Sequence, residues 1–160
     1  MRMLGDFVDR VGESLDSGSE LGKPSRIGII ATAGDRRDED MVELGEIAAQ
    51  HFDVVIVRED SNLRRRPLGE TAGLVADGVR RAMESGVRCK QLEVILDEIE
   101  AVRHALSRAN RGDLVVVCVD KHPAVMEELE TWSQVAQAGA SFGGNEEPAG
   151  ADPDYRPVEA

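Results

Sequence analysis

Two short stretches gather most of the groups that can do chemistry. In Gly34-Asp35-Arg36-Arg37-Asp38-Glu39-Asp40 a glycine is followed by an unbroken run of charge. In Asn62-Leu63-Arg64-Arg65-Arg66-Pro67 three arginines stand together in a chain whose net charge is −12. The guanidiniums of Arg36, Arg37, Arg64, Arg65 and Arg66 suit an anion, because a planar guanidinium forms paired hydrogen bonds to carboxylate or phosphate. Asp35 and Asp38 can orient those guanidiniums or receive a cationic group. The plainer reading is a solvated Arg/Asp network at the start of a helix, where acids are favoured by the helix dipole. The residues alone leave the two readings evenly balanced.

Other chemistries find less support. A phosphate loop needs several glycines and a Lys-Ser/Thr pair at a helix start; the 32–38 loop has one glycine and no lysine, and G-x-G-x-x-G does not occur. A receiver-like phospho-acceptor would use acids after the first strand, an Asp after the third and a Lys after the last. Asp35, Asp38, Asp97 and Lys121 fit that plan loosely, although Asp97 also reads as a helix cap. There is no G-x-S-x-G elbow. Cys89 and Cys118 form no C-x-x-C, and His51, His104 and His122 have no ligand spacing, so no catalytic nucleophile and no metal site are assigned.

The elements that must carry these residues follow from hydrophobic periodicity. Met3, Leu4, Phe7, Val8, Val11 and Leu15 predict an amphipathic helix over 3–16. A strand is predicted over 26–32, a helix over 38–51, a strand over 53–57, a helix over 69–84 and a strand over 91–96. Asp97 and Glu100 form a D-x-x-E start signal for the next helix. "DLVVVCV" over 113–119 is the clearest strand, and Pro123 suits the first turn of a last helix that buries Val125, Leu129 and Trp132. Unbroken apolar strands alternating with helices predict a three-layer α/β domain with a mainly parallel sheet. Ligands of such sheets sit beyond the carboxyl ends of the strands, so the loops 32–38, 58–68 and 119–123 are expected to share one edge. The domain is expected to span 1–138. From 139 the Gly-, Pro- and acid-rich sequence predicts a disordered tail to 160.

The acidic balance excludes a basic footprint for nucleic acid. No apolar run approaches the roughly 20 residues of a membrane helix. The N-terminus lacks the apolar region of a signal peptide, and a cytoplasmic protein is expected.

The stretch "GDRRDEDMVELGEIAAQHFDVVIVREDSNLRRRPLGE" resembles the C-terminal, Rossmann-like domain of the Mur ligase family, in the form of its cyanophycin-synthetase branch. Gly34-Asp35-Arg36-Arg37-Asp38 matches a G-D-R-D turn with one extra residue. Asn62-Leu63-Arg64 matches part of a later D-N-P-R loop. The resemblance runs over about 3–120 and is strongest over 26–68.

It implies a role in ATP-dependent amide bond formation, in which a carboxylate becomes an acyl phosphate and an incoming amine attacks it. Asp35, Arg36, Asp38, Asn62 and Arg64 would face the amino acid or the nucleotide, with Gly34, Arg37 and Arg66 in the same two loops completing a substrate-binding set. The family's G-T-N-G-K-T/S loop and D-Y-x-H-N-P segment are absent from the sequence. ATP and Mg are therefore expected for the complete enzyme and no cofactor for this chain alone. The chain is expected to be inactive by itself, and to need the remaining ligase domains or a partner subunit carrying the ATP site. Its expected substrate is an amino acid or a cyanophycin-like peptide. The alternative is a non-catalytic amino-acid-binding or regulatory module derived from that domain.

Overall fold

The predicted order of elements is present throughout the computed structural model, which describes residues 2–18 and 23–137. The elements are α1 (Arg2–Gly18), β1 (Arg26–Ile30), α2 (Asp38–His51), β2 (Val54–Val57), α3 (Glu70–Glu84), β3 (Gln91–Val94), α4 (Glu98–Arg108), β4 (Leu114–Val117) and α5 (His122–Gln137). The tail expected from residue 139 and the domain end at 138 lie outside the described residues.

The four strands form one parallel sheet in the order β3-β2-β1-β4. Ile29 stands opposite Ile56 on β2 and Val117 on β4. Successive side chains of a strand point to opposite faces, so the apolar strands supply two cores. Ile30, Val55 and Val57 pack with Val8, Met41, Phe52, Val75 and Val79 under α1, α2 and α3. Ile27, Ile29 and Ile56 pack with Ala101, Val102, Ala105 and Val125 under α4 and α5. The architecture is the expected three-layer α/β fold.

The predicted strands are too long at their carboxyl ends. Ala31-Thr32, Ile95-Leu96 and Cys118-Val119 lie past the last paired residues, although Ile95 and Cys118 still donate to the Val57 and Ile29 carbonyls. Their apolar pattern continues the strand signal past the last ladder pair, because residues bordering the sheet edge are still half covered. In α1 only part of the predicted stripe is inside: Val8 is fully buried and Leu4 packs against the core, whereas Met3 and Phe7 are exposed.

Helix α2 meets α3 backbone to backbone. A Cβ added at Gly45 would lie 2.0 Å from the Val75 carbonyl oxygen, and one at Gly78 would lie 1.9 Å from that of Val42. No larger residue permits this approach.

Asp97 caps α4 as the sequence predicts. Its Oδ1 accepts from the backbone N–H groups of Ile99 and Glu100, both at 2.9 Å. Asp97→Ala leaves those donors to water and is expected to cost about 1 kcal/mol. Urea denaturation of the variant measures this directly.

Candidate functional site

Because every strand runs the same way, the loops after β1, β2, β3 and β4 all emerge at one edge. The first two are joined there. The Gly34 N–H donates to the Asn62 carbonyl at 3.0 Å. A Cβ on Gly34 would stand 2.1 Å from the Leu63 carbonyl oxygen, so only glycine lets the loops close.

Arg66 clamps this junction. Its Nε donates to the Gly34 carbonyl at 2.9 Å, Nη2 to the Arg36 carbonyl at 3.0 Å and to Asp38 Oδ1 at 2.7 Å, and Nη1 to Glu70 Oε1 at 2.6 Å. Asp38 and Glu70 hold its pKa above the ordinary arginine value. Arg66 and Asp38, both in the predicted substrate set, are thus engaged with each other and with the loop backbone. Arg37 is engaged locally, with Nε and Nη2 on Asp40 at 3.0 and 2.7 Å. This pairing raises the Arg37 pKa and lowers that of Asp40.

Of the predicted set, Gly34 is buried in the loop junction, and Asp35, Arg36, Asn62 and Arg64 are exposed. Asp35 sits between two guanidiniums, 4.0 Å from both Arg36 Nε and Arg64 Nε. Arg64 and Arg65 have φ of +48° and +76°. Two consecutive left-handed residues that are not glycine are uncommon, and such strain collects at functional loops. A turn bond from Arg66 N–H to the Leu63 carbonyl at 2.9 Å holds them there.

A second polar cluster was not singled out by sequence reasoning. Arg58 and Glu98 are each 3% exposed and pair at 3.0 Å. Arg58 also donates to the carbonyls of Glu59 and Cys118, at 2.8 and 2.6 Å. Glu98 accepts from the backbone N–H groups of Asp120 and Lys121, at 2.7 and 2.8 Å. Asp120 Oδ2 accepts from the Ser61 N–H at 3.1 Å. The pair thereby ties the loops after β2 and β4 to the start of α4. The one available signal was a cation directly after the buried run Val55-Ile56-Val57, a position where a charge needs a partner.

Glu59, next to it, is also buried, and its Oε2 accepts from the Gly69 N–H at 2.6 Å. Burial pushes this carboxyl above its ordinary 4.5, against the opposing pull of the Gly69, Ala72 and Asp60 N–H groups. The native state then binds this proton more tightly than the unfolded chain. The contribution of Glu59 to stability is therefore greatest in acid, and declines as pH rises from the unfolded value through the folded one. Urea denaturation should show wild type losing ground to Glu59→Gln as pH rises from the ordinary carboxyl value of 4.5.

Burial also raises both thiols, Cys89 and Cys118, which disfavours the reactive thiolate. Among the described residues no three His, Cys, Asp or Glu side chains converge as metal ligands would. Asp97, a residue of the receiver-like reading, is engaged as the α4 cap.

The joined loops and the parallel sheet agree with what comparison finds. The family model for the Mur ligase glutamate ligase domain matches residues 8–119. The chain belongs to the Mur ligase family. The matched span runs from α1 to the first residues of the loop after β4, so it contains every strand and the edge loops after β1, β2 and β3. The domain is 42% identical over 95 residues to cyanophycin synthetase of Crocosphaera subtropica, covering 59% of this chain and 10% of that protein. It is 46% identical over 92 residues to cyanophycin synthetase of Synechocystis sp., covering 58% and 10%. It is also 32% identical over 114 residues to the UDP-N-acetylmuramoyl-L-alanyl-D-glutamate–2,6-diaminopimelate ligase of Syntrophomonas wolfei, covering 71% and 22%. The chain thus matches about a tenth of the length of the cyanophycin synthetases. Among the described residues, no helix is long and apolar enough to cross a membrane.

Proposed function

We propose that this Mur ligase domain holds the incoming amino acid for a cyanophycin-synthetase-like, ATP-dependent acid–amino acid ligase of the cytoplasm. The supporting observation is the Gly34–Asn62 junction, which groups Asp35, Arg36 and Arg64 on one exposed face. Arg36 and Arg64 present guanidiniums to the α-carboxylate of the amino acid, and Asp35 keeps the two oriented. With its carboxylate held, the amine is directed at an acyl phosphate formed elsewhere in the ligase; the amide forms and phosphate leaves. ATP and Mg belong to that other part, because this sequence has no Lys-Ser/Thr phosphate loop. The domain alone has no reaction of its own in this scheme.

The test pairs calorimetry with reconstitution. The 160-residue chain is titrated with arginine and with a β-Asp-Arg peptide, then mixed with a cyanophycin synthetase cut before its own copy of this domain. Arginine-dependent phosphate release is expected in the mixture and in neither component. Arg64→Ala is expected to weaken it mainly through KM. A chain that releases phosphate unaided, or a mixture no better than its parts, overturns the proposal. Amino-acid binding with no gain in the mixture favours the alternative, a binding or regulatory module.

A further inference from the structure

Two exposed guanidiniums grip one carboxylate well only when something fixes their separation. The Asp35 contacts of Arg36 and Arg64 are too long for this. Each is 4.0 Å, beyond hydrogen-bond length, and the two side chains are 68% and 56% exposed. Their separation has to come from the loops that carry them, and the side chain of Arg66 joins those two loops.

A guanidinium has five N–H donors. Those of Arg66 make four bonds inside the protein, to the Gly34 and Arg36 carbonyls and to the carboxylates of Asp38 and Glu70. At most one donor, on Nη1, is left. It cannot supply the paired bonds that a carboxylate takes from an arginine. The side chain is also only 20% exposed. Arg66 is therefore poorly placed to touch a ligand and well placed to hold the residues that do.

Its contacts reach both arginines. In the first loop Arg66 Nη2 holds the carbonyl of Arg36 itself, at 3.0 Å. In the second loop the Arg66 N–H donates to the Leu63 carbonyl at 2.9 Å and closes the turn in which Arg64 takes a φ of +48° and Arg65 one of +76°. Left-handed residues other than glycine persist only where their surroundings over-determine them. The outer ends of the clamp rest on Asp38 and Glu70, the first residues of α2 and α3. These helices meet backbone to backbone at Gly45 and Gly78, so both loops are referred to one rigid frame. A lysine could not do the same, because a single ammonium cannot span acceptors arranged around a planar fork.

We infer that Arg66 is a positioning residue, which fixes Arg36 and Arg64 relative to each other and makes no contact with the ligand they grip. The inference rests on the amino-acid-holding reading for the identity of that ligand. The clamp itself is independent of it.

The test has one arm on the chain alone and one on the reconstituted ligase. In the isotopically labelled chain, the Nε–H of Arg66 should exchange with water about tenfold or more slowly than those of Arg36 and Arg64, the size expected for one charge-assisted hydrogen bond. Added arginine should shift the Nε–H signals of Arg36 and Arg64 and leave that of Arg66 in place. In the mixture, with the chain saturating, Arg66→Lys should lower kcat/KM for arginine on the order of 10–100-fold. In an Arg64→Ala background the same change should cost much less, because one of the two groups it positions is gone. A residue that merely supports the fold would cost the same factor in both backgrounds. Glu70→Ala releases Nη1 alone and leaves both loops intact, so it repeats the cycle with a smaller loss if Arg66→Lys does not fold. Four results each overturn the inference: an Arg66 Nε–H that exchanges as fast as the other two; an arginine-induced shift of Arg66 as large as theirs; unchanged kcat/KM in Arg66→Lys; or an equal cost of the change with and without Arg64→Ala. The exchange measurement needs neither amino acid nor ATP. A wild-type mixture without activity therefore removes the amino-acid-holding reading, whereas a fast-exchanging Arg66 removes the clamp.

Discussion

Glu98→Ala is expected to lower the stability of the domain by about 3–5 kcal/mol, the largest loss from any single polar truncation in it. The carboxylate that is removed faces Arg58, which is 3% exposed and cannot turn to water. Its loss leaves a buried guanidinium without a counter-charge. It also leaves the N–H groups of Asp120 and Lys121 without acceptors. Glu98→Gln keeps an acceptor and should lose less than Ala. The double variant Arg58→Met/Glu98→Met should lose less than the sum of the single changes, because no charge is left alone. Urea denaturation gives the energies, and amide exchange should quicken at Asp120 and Lys121. A loss under about 1 kcal/mol would mean that water screens the pair, as at a surface ion pair.

Two glycines of α3 are expected to respond with opposite signs. Gly78→Ala places a Cβ 1.9 Å from the Val42 carbonyl oxygen, and that atom is backbone, so no rotamer change relieves it. Helices α2 and α3 must move apart, which opens the core around Val75 and Val79. Overpacking of this kind costs roughly 1–3 kcal/mol or more, against about 1 kcal/mol returned by the better helix propensity of alanine. A net loss of about 2 kcal/mol is expected. At Gly73 an added Cβ meets nothing within 4 Å, so Gly73→Ala should stabilise by up to about 1 kcal/mol. Thermal or urea melts of the two variants against wild type decide it. Equal effects at the two positions would show that propensity, not helix contact, governs this helix.

The architecture was legible because its signals are local. Apolar runs alternate with amphipathic ones, and α2 begins and ends at the residues the periodicity predicts, Asp38 and His51. Asp97 caps α4 through bonds two and three residues away, well within reach of a sequence pattern. The family likeness was legible for the same reason. Its two motifs, around Gly34 and around Asn62, are short, and a parallel sheet brings the ends of neighbouring strands to one edge.

The work of each charged residue was decided by tertiary structure alone. Arg64, Arg65 and Arg66 are identical in type and adjacent in the chain. Yet Arg66 is locked onto Gly34, Arg36 and Asp38, while Arg64 stays exposed beside Asp35. Arg58 follows β2 and Glu98 opens α4, 40 residues apart; both look like ordinary surface charges, but the fold buries both and joins them. Hydrophobic periodicity reports which face of an element is covered. It carries no information on which distant group a long side chain will meet, or on whether a charge beyond the end of a strand will keep its water. The sequence by itself determined the layers, the shared loop edge and the family of this domain. Long-range packing decided which charges hold the edge together and which remain exposed there.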